Sequence, residues 1–248
     1  VKLRVFTEPQ QGASYSHLLG VAQAAERAGF DAFFRSDHFQ RMGTHFTGLP
    51  GPTDAWITLA GIARETNTIR LGTLVNSATF RHPGVLAVSV ANVDDMSNGR
   101  VELGLGAGWF LDEHRSYGVT FPPLGERFDI LTEQLLVITG LWNTPHRDTF
   151  SFSGNHYTLT DSQLSSTCHF KTCRCSLRNV TVCVQRATAI GRDVEELKAN
   201  GLCGTPGEVL EKIKAWEATG AEHLYLQMLD LSDLDQIALI GEHIIKHL

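Results

Sequence analysis

Glycine, aromatic and acid–base residues crowd into one short stretch: Gly106-Ala107-Gly108-Trp109, followed by Asp112-Glu113-His114. A turn of glycines and alanine has almost no side-chain bulk, so its backbone N–H groups can approach a ligand closely. Trp109 stands at the mouth of that turn. Strand, glycine turn, aromatic and acidic helix start is the pattern of a βα loop that contacts a cofactor. Alone, the pattern describes equally a tight βα connection that binds nothing. A second cluster is Asp37-His38, within Arg35-Ser-Asp-His-Phe39. An imidazole titrates near neutrality, so His38 suits proton transfer. The bland alternative for the pair is a salt-bridged loop. Glu113 and His114 read equally as a helix-start acid and an exposed histidine, and Trp109 reads equally as core packing.

The elements that must carry these residues are legible around them. Val101, Leu103 and Leu105 alternate with Glu102 and Gly104, a short strand leading into the glycine turn. Leu3–Phe6 and Asp31–Phe34 are strands, and the second leads straight into Asp37-His38. Ile69–Val75 is a third strand. Between them lie helices: from Ser14 or Ser16 through Arg27, stopped by Gly29; from Thr53 or Asp54 to Glu65; and from Pro83 to just before Gly99. Four βα steps of about thirty residues each are the size of parallel βαβ units. Repeated steps with polar groups at strand C-terminal ends mean an α/β protein with a parallel sheet or a (β/α)8 barrel.

Composition narrows the function classes. The chain has 248 residues, 42% hydrophobic and 19% charged, an ordinary globular balance. A formal net charge of -6 offers no basic footprint, so nucleic acid is not an expected partner. No apolar run is long enough to span a bilayer, and the first residues read as a strand rather than a secretion signal. A cytoplasmic protein is the expectation. Five cysteines do not make a disulfide scaffold.

Past Trp109 the sequence predicts a short helical turn over Asp112–Gly118 and a helix over Arg127–Trp142. A hairpin follows within 144–161, turning at Ser153-Gly154-Asn155. The pattern then fails over 162–186, where only Asn179–Val184 resembles a strand. Cys168, His169, Cys173, Cys175 and Cys183 lie in this segment, but their spacing is a poor match to zinc pairs, and no metal is assigned. Order returns with a helix over Ala187–Asn200 and another opened by the Thr205-Pro-Gly-Glu208 capping box. A last strand follows at His223–Met228, then a closing helix capped by Ser232.

These residues carry a resemblance. Glu26-Arg-Ala-Gly-Phe-Asp31, Ser36-Asp-His-Phe39, Leu71-Gly-Thr-Leu-Val75, Phe80-Arg-His-Pro83, Ser97-Asn-Gly-Arg100, Gly104–Trp109 and Glu113-His114 resemble the bacterial luciferase-like oxidoreductases, in particular the actinobacterial branch that uses the deazaflavin coenzyme F420. Gly204-Thr-Pro-Gly207 and Tyr225-Leu-Gln227 continue the match. The resemblance implies a single TIM-type (β/α)8 barrel over 1–248, with cofactor at the strand C-terminal ends. It implies hydride transfer between F420 and an organic small-molecule substrate, with Asp37 and His38 catalytic. Asp37, Leu74, Val75, Asn76, Gly106, Ala107, Gly108, Trp109 and Asp112 are implied as cofactor-binding, and Leu74–Val75 as a cis peptide behind the ring. A homodimer is expected. The alternatives are an FMN-dependent monooxygenase on the same barrel and an inactive truncated remnant. Trp109 stands where the family's sugar-phosphate dehydrogenases carry an acid, which favours an apolar or aromatic substrate.

One departure is large. Three βα units of about ninety residues in all are expected where 162–186 supplies far fewer. Only about six strands are recognisable, so the barrel is expected to be incomplete. The change of composition reads as an internal deletion or frame shift. The missing part includes a glycine-rich strand end that in relatives holds the cofactor's phosphate.

Overall fold

The computed structural model describes residues 1–42, 53–164, 201–202 and 204–248, and the backbone of 181–184. The expected helix over 187–200 and the cysteine cluster before residue 176 lie outside the described residues, as does most of the anomalous segment. The strands are β1 (Lys2–Thr7), β2 (Ala32–Arg35), β3 (Arg70–Thr73), β4 (Asn76–Ser77), β5 (Val101–Glu102), β6 (Leu105–Gly106), β7 (Phe150–Ser153), β8 (Thr158–Ser162), β9 (Thr181–Val184) and β10 (His223–Met228). Residues 3–7 of β1 and all of β2 are buried, as strands covered on both faces must be.

Six strands form one sheet in the order β5-β3-β2-β1-β10-β9, and every pairing in it is parallel. The last strand of the chain lies beside the first, the cyclic order of a barrel. Among the described residues β5 and β9 are not paired with each other. The architecture is therefore α/β with an incomplete barrel. Strands three and four of the sequence reading are each broken in two. Leu74–Val75 interrupts one, and its peptide bond is cis, as the resemblance implies. Leu103-Gly104 interrupts the other. The far halves, β4 and β6, pair in a small sheet of their own, Asn76 opposite Leu105 and Ser77 opposite Gly106.

The helices are α1 (Tyr15–Ala28), α2 (Ala55–Glu65), α3 (Pro83–Ser97), α4 (Leu111–Ser116), α5 (Leu124–Asn143), α6 (Pro206–Ala218) and α7 (Leu234–His243). Their ends follow local chemistry. Ser14 caps α1 and Gly29 ends it in the left-handed region. Asp54 caps α2 by accepting from the Trp56 and Ile57 N–H groups. Thr205 and Glu208 make a full capping box on α6. Two expectations are corrected. Asp233, not Ser232, caps α7; the Ser232 hydroxyl donates to Asp230 at 2.5 Å instead. α5 starts at Leu124, because Pro123 stands at its N-cap, where a missing N–H costs nothing.

Leu18, Leu59, Ile62, Leu86 and Val137 of the helices pack with Val5, Phe33 and Leu71 in the main core. A second cluster, Phe6, Ala32, Phe34 and Tyr225, fills the inner face of the sheet. Below it, at the N-terminal ends of the strands, Arg4 pairs with Asp31 and Glu102 at 2.8 Å and donates to the Tyr225 hydroxyl at 2.9 Å. This polar cluster occupies one end of the sheet. The other end, where the strands finish, holds the residues of interest.

Candidate active site

A cavity of about 550 Å³ opens at the C-terminal ends of the strands. Its wall takes Phe6 and Glu8 from the end of β1, Ser36-Asp37-His38 from the end of β2, Leu74, Val75 and Ser77 around the cis bond, and Gly106–Phe110 with Glu113 and His114 beyond β6. Eight of the ten residues assigned from sequence thus meet in one place: Asp37, His38, Leu74, Val75, Gly106, Ala107, Gly108 and Trp109.

The glycines are explained by what they touch. A side chain on Gly106 would meet Val75 Cγ2 at 2.8 Å, and one on Gly108 would meet Ser77 Oγ at 2.5 Å. Gly108 also has φ +80°, a conformation that favours glycine. The loop therefore lies flat on the β3–β4 bulge. Val75 remains 41% exposed, so an apolar surface is left open on the cavity wall.

His38 is held by Glu113, a fully buried carboxylate on α4, whose Oε2 lies 2.8 Å from His38 Nδ1. Its Oε1 accepts from the backbone N–H groups of Phe39 and of Gln40, the latter at 3.0 Å. A carboxylate that only accepts requires the proton on Nδ1, and in the neutral imidazole that tautomer leaves the lone pair on Nε2. Among the described residues Nε2 has no hydrogen-bond partner. Trp109, 64% exposed, stands edge-on to the His38 ring at 5.8 Å and stacks on Phe110 at 5.2 Å.

Asp37 is buried, and both its oxygens face the Arg81 guanidinium, the second contact at 3.1 Å. Arg81 also bridges to Asp54, the cap of α2. Burial pulls the guanidinium pKa down, but the Asp37 and Asp54 charges outweigh it and hold it above its ordinary value. Next to it, fully buried Arg35 is lowered to about 10 by desolvation, and it donates to Thr53, Thr58 and the Ser36 and Asp54 carbonyls. These arginines fix the β2 end, and with it the direction of His38.

Two assigned residues lie elsewhere. Asn76 is fully buried behind the wall, where its Oδ1 accepts from Trp56 Nε1 at 2.8 Å and Arg81 at 3.2 Å. Asp112 points to solvent, 3.9 Å from Arg115. Neighbours on a strand or helix face different ways, and neither residue is among those lining the cavity. His114 is buried rather than exposed. Its Nδ1 donates to the Phe110 carbonyl at 2.7 Å, and its Nε2 takes the Thr79 hydroxyl at 2.6 Å. Sequence reasoning missed Glu8 and Arg81. An acid directly after a buried strand was the available signal for Glu8.

The wall suits a flat heteroaromatic ring with a polar edge. Leu74, Val75 and Phe6 give an apolar face, and the Gly106–Gly108 backbone approaches without side chains. Gln11 Oε1 is a buried acceptor that lacks a partner among the described residues, which a ring N–H or hydroxyl would satisfy. No lysine or arginine is among the described residues lining the cavity.

A family profile described as luciferase-like monooxygenase matches residues 1–169. The chain is 36% identical over 148 residues to an F420-dependent glucose-6-phosphate dehydrogenase of Amycolatopsis mediterranei, covering 59% of this chain and 43% of that protein. It is 38% identical over 145 residues to an F420-dependent hydroxymycolic acid dehydrogenase of Mycobacterium tuberculosis, covering 58% and 38%. The chain thus spans about two-fifths of the length of these curated relatives. Among solved structures, an F420-dependent secondary alcohol dehydrogenase with an F420–acetone adduct superposes with TM-score 0.74 at 17% identity, covering 98% of each chain. A coenzyme F420-dependent tetrahydromethanopterin reductase from Methanopyrus kandleri does so with TM-score 0.74 at 14% identity, covering 100% and 99%. At these identities the structural likeness establishes the fold.

Proposed function

Because the chain belongs to the luciferase-like monooxygenase family, we propose that it is an oxidoreductase that uses coenzyme F420 to interconvert an organic alcohol and its carbonyl form. The observation that carries the reading is His38 on the cavity wall with Nδ1 tied to Glu113. That arrangement presents a basic Nε2 where a substrate hydroxyl would lie. When bound, the deazaflavin supplies the two-electron hydride chemistry.

The chain's residues do the rest. Leu74, Val75 and the Gly106–Gly108 backbone would hold the ring, and Gln11 would accept from its polar edge. His38 takes the hydroxyl proton as the carbinol hydrogen leaves as hydride, or returns it in the reverse direction. Asp37 anchors the loop through Arg81 and is not itself the proton carrier. Trp109 and Phe110 give the mouth an apolar, aromatic lining, which supports a substrate with an apolar body rather than a sugar phosphate. A single-domain, cytoplasmic homodimer completes the proposal, supported by the family membership. Among the described residues no helix is long and apolar enough to cross a membrane.

Titration of the purified protein with F420 and, separately, with FMN tests the reading, with tryptophan fluorescence as the signal. F420 is expected to quench it, and Trp109→Phe is expected to lose most of that change. Preference for FMN would transfer the site to a flavin monooxygenase. Binding of neither would remove the proposal.

A further inference from the structure

Glu8 is a buried carboxylate that the reaction above leaves unused. It follows β1 directly and caps a short 3-10 turn, Pro9–Gln11, without using its side chain for the cap. Its Oε1 accepts from Gln10 Nε2 at 3.3 Å, and its Oε2 accepts from Gln227 Nε2. Gln10 is fully buried and is held in turn by the Ser36 hydroxyl, which donates to its Oε1 at 2.7 Å. Both donors to Glu8 are therefore neutral amides. Asp31, Asp37, Asp54 and Glu102 each face an arginine, whereas no ion pair reaches Glu8 among the described residues. Desolvation pushes its carboxyl above the ordinary range, and His38, within electrostatic reach, pulls part of the way back.

The position of Glu8 gives that chemistry a use. Its side chain lines the main cavity with His38 and also lines a second cavity of about 200 Å³, whose wall includes His17, Asp230 and Ser232. Among the described residues only Gln11 joins it on both walls. Each alcohol oxidised would leave one proton on His38, whose other nitrogen is tied to fully buried Glu113. That proton must reach solvent before the next turnover.

We propose that Glu8 is the second proton-carrying residue of the site, taking the proton that His38 accepts and releasing it to solvent through the smaller cavity. The proton path rests on the oxidoreductase reading, whereas the acid–base behaviour of Glu8 does not. The balance is simple: the hydroxyl proton moves to His38, from His38 to the Glu8 carboxylate, and from there to water. No bond other than those to the proton changes in these transfers. The charged and titratable groups facing Glu8 are His38, Asp37, Glu113 and His114 across the main cavity, and His17 and Asp230 across the smaller one.

The test begins on the cofactor-free protein. Carboxyl-carbon NMR of glutamate-labelled protein, with the Glu8 signal assigned by its loss in Glu8→Gln, should give a midpoint above the ordinary glutamate value of about 4.3. With F420 and substrate, Glu8→Gln should lower kcat about ten- to a hundredfold and remove one limb of its pH profile, and Glu8→Asp should restore part of both. An ordinary midpoint for Glu8 overturns the proposal whatever the turnover shows. An unchanged kcat profile in Glu8→Gln also overturns it. A raised Glu8 midpoint in a protein that transfers no hydride would uphold the acid–base behaviour of Glu8 and defeat only the oxidoreductase reading.

Discussion

Replacing Glu113 with glutamine should disarm His38 while leaving the barrel folded. Glu113 is fully buried and receives three donors, the His38 Nδ1–H and the Phe39 and Gln40 N–H groups. A glutamine keeps one oxygen. The two backbone N–H groups claim it, since turning the amide would set its NH2 against both of them. The NH2 then faces His38 Nδ1, which must become an acceptor, and the proton moves to Nε2. An imidazole protonated on Nε2 cannot take a proton from a substrate. Loss of a positioned general base costs about 10²–10⁴ in rate, equivalent to about 3–5 kcal/mol of barrier. The stability cost is smaller, about 1–3 kcal/mol, because hydrogen bonds persist and only their charge assistance is lost. The assay pairs steady-state kcat with nitrogen NMR of the His38 ring. Nε2 should change from acceptor to N–H, with kcat falling at least a hundredfold. A folded Glu113→Gln protein with wild-type kcat, or with an unchanged tautomer, would refute the reasoning.

Arg81→Met should lower stability by about 3–5 kcal/mol, because it leaves Asp37 buried without its partner; a wild-type Tm would contradict this. Acid should destabilise the protein through Asp31 and Asp54. Burial would raise both, but Lys2 and Arg4 around Asp31, and Arg81 beside Asp54, hold them below the ordinary value. Their contribution is present above the unfolded aspartate pKa of about 3.9 and is lost as pH falls through the lower folded values. Asp31→Asn should flatten the fall of Tm over that acid window, and an identical slope would remove Asp31 from the account. F420 and its core deazaflavin lacking the phosphate tail should bind with similar, weak affinity, since no lysine or arginine is among the described residues lining the cavity. A large advantage for the full cofactor, measured by titration, would show that the chain holds the phosphate after all.

The βα order was legible because buried strands and capped helices write themselves locally. Asp54, Thr205 and Glu208 mark helix starts by the hydrogen bonds their types make, and Pro83 marks one by its fixed φ and missing N–H. The glycine loop was legible for the same reason, since Gly106 and Gly108 stand where no side chain fits. Partnerships between distant loops were not. Nothing near His38 in the chain points to Glu113, 75 positions away, and nothing near Asp37 singles out Arg81. Nothing around Glu8 in the chain points to Gln227, 219 positions away, which the sheet places beside it. Asn76 and Asp112 show the converse: a residue next to a site residue faces the other way when the local geometry alternates.

The central claim is that this cavity binds F420 and that His38 manages the proton of a hydride transfer. The most direct measurement mixes the protein with oxidised F420 and a panel of apolar secondary alcohols and follows loss of the deazaflavin's visible absorbance, in wild type and in His38→Ala. The account predicts bleaching by wild type with at least one alcohol. It predicts a rate about 10²–10⁴ lower in His38→Ala, in a protein that still folds and still binds F420, with a Tm lowered because Glu113 Oε2 is left buried without its donor. Bleaching as fast in a folded His38→Ala as in wild type would contradict the account, as would an F420 titration with no saturable binding.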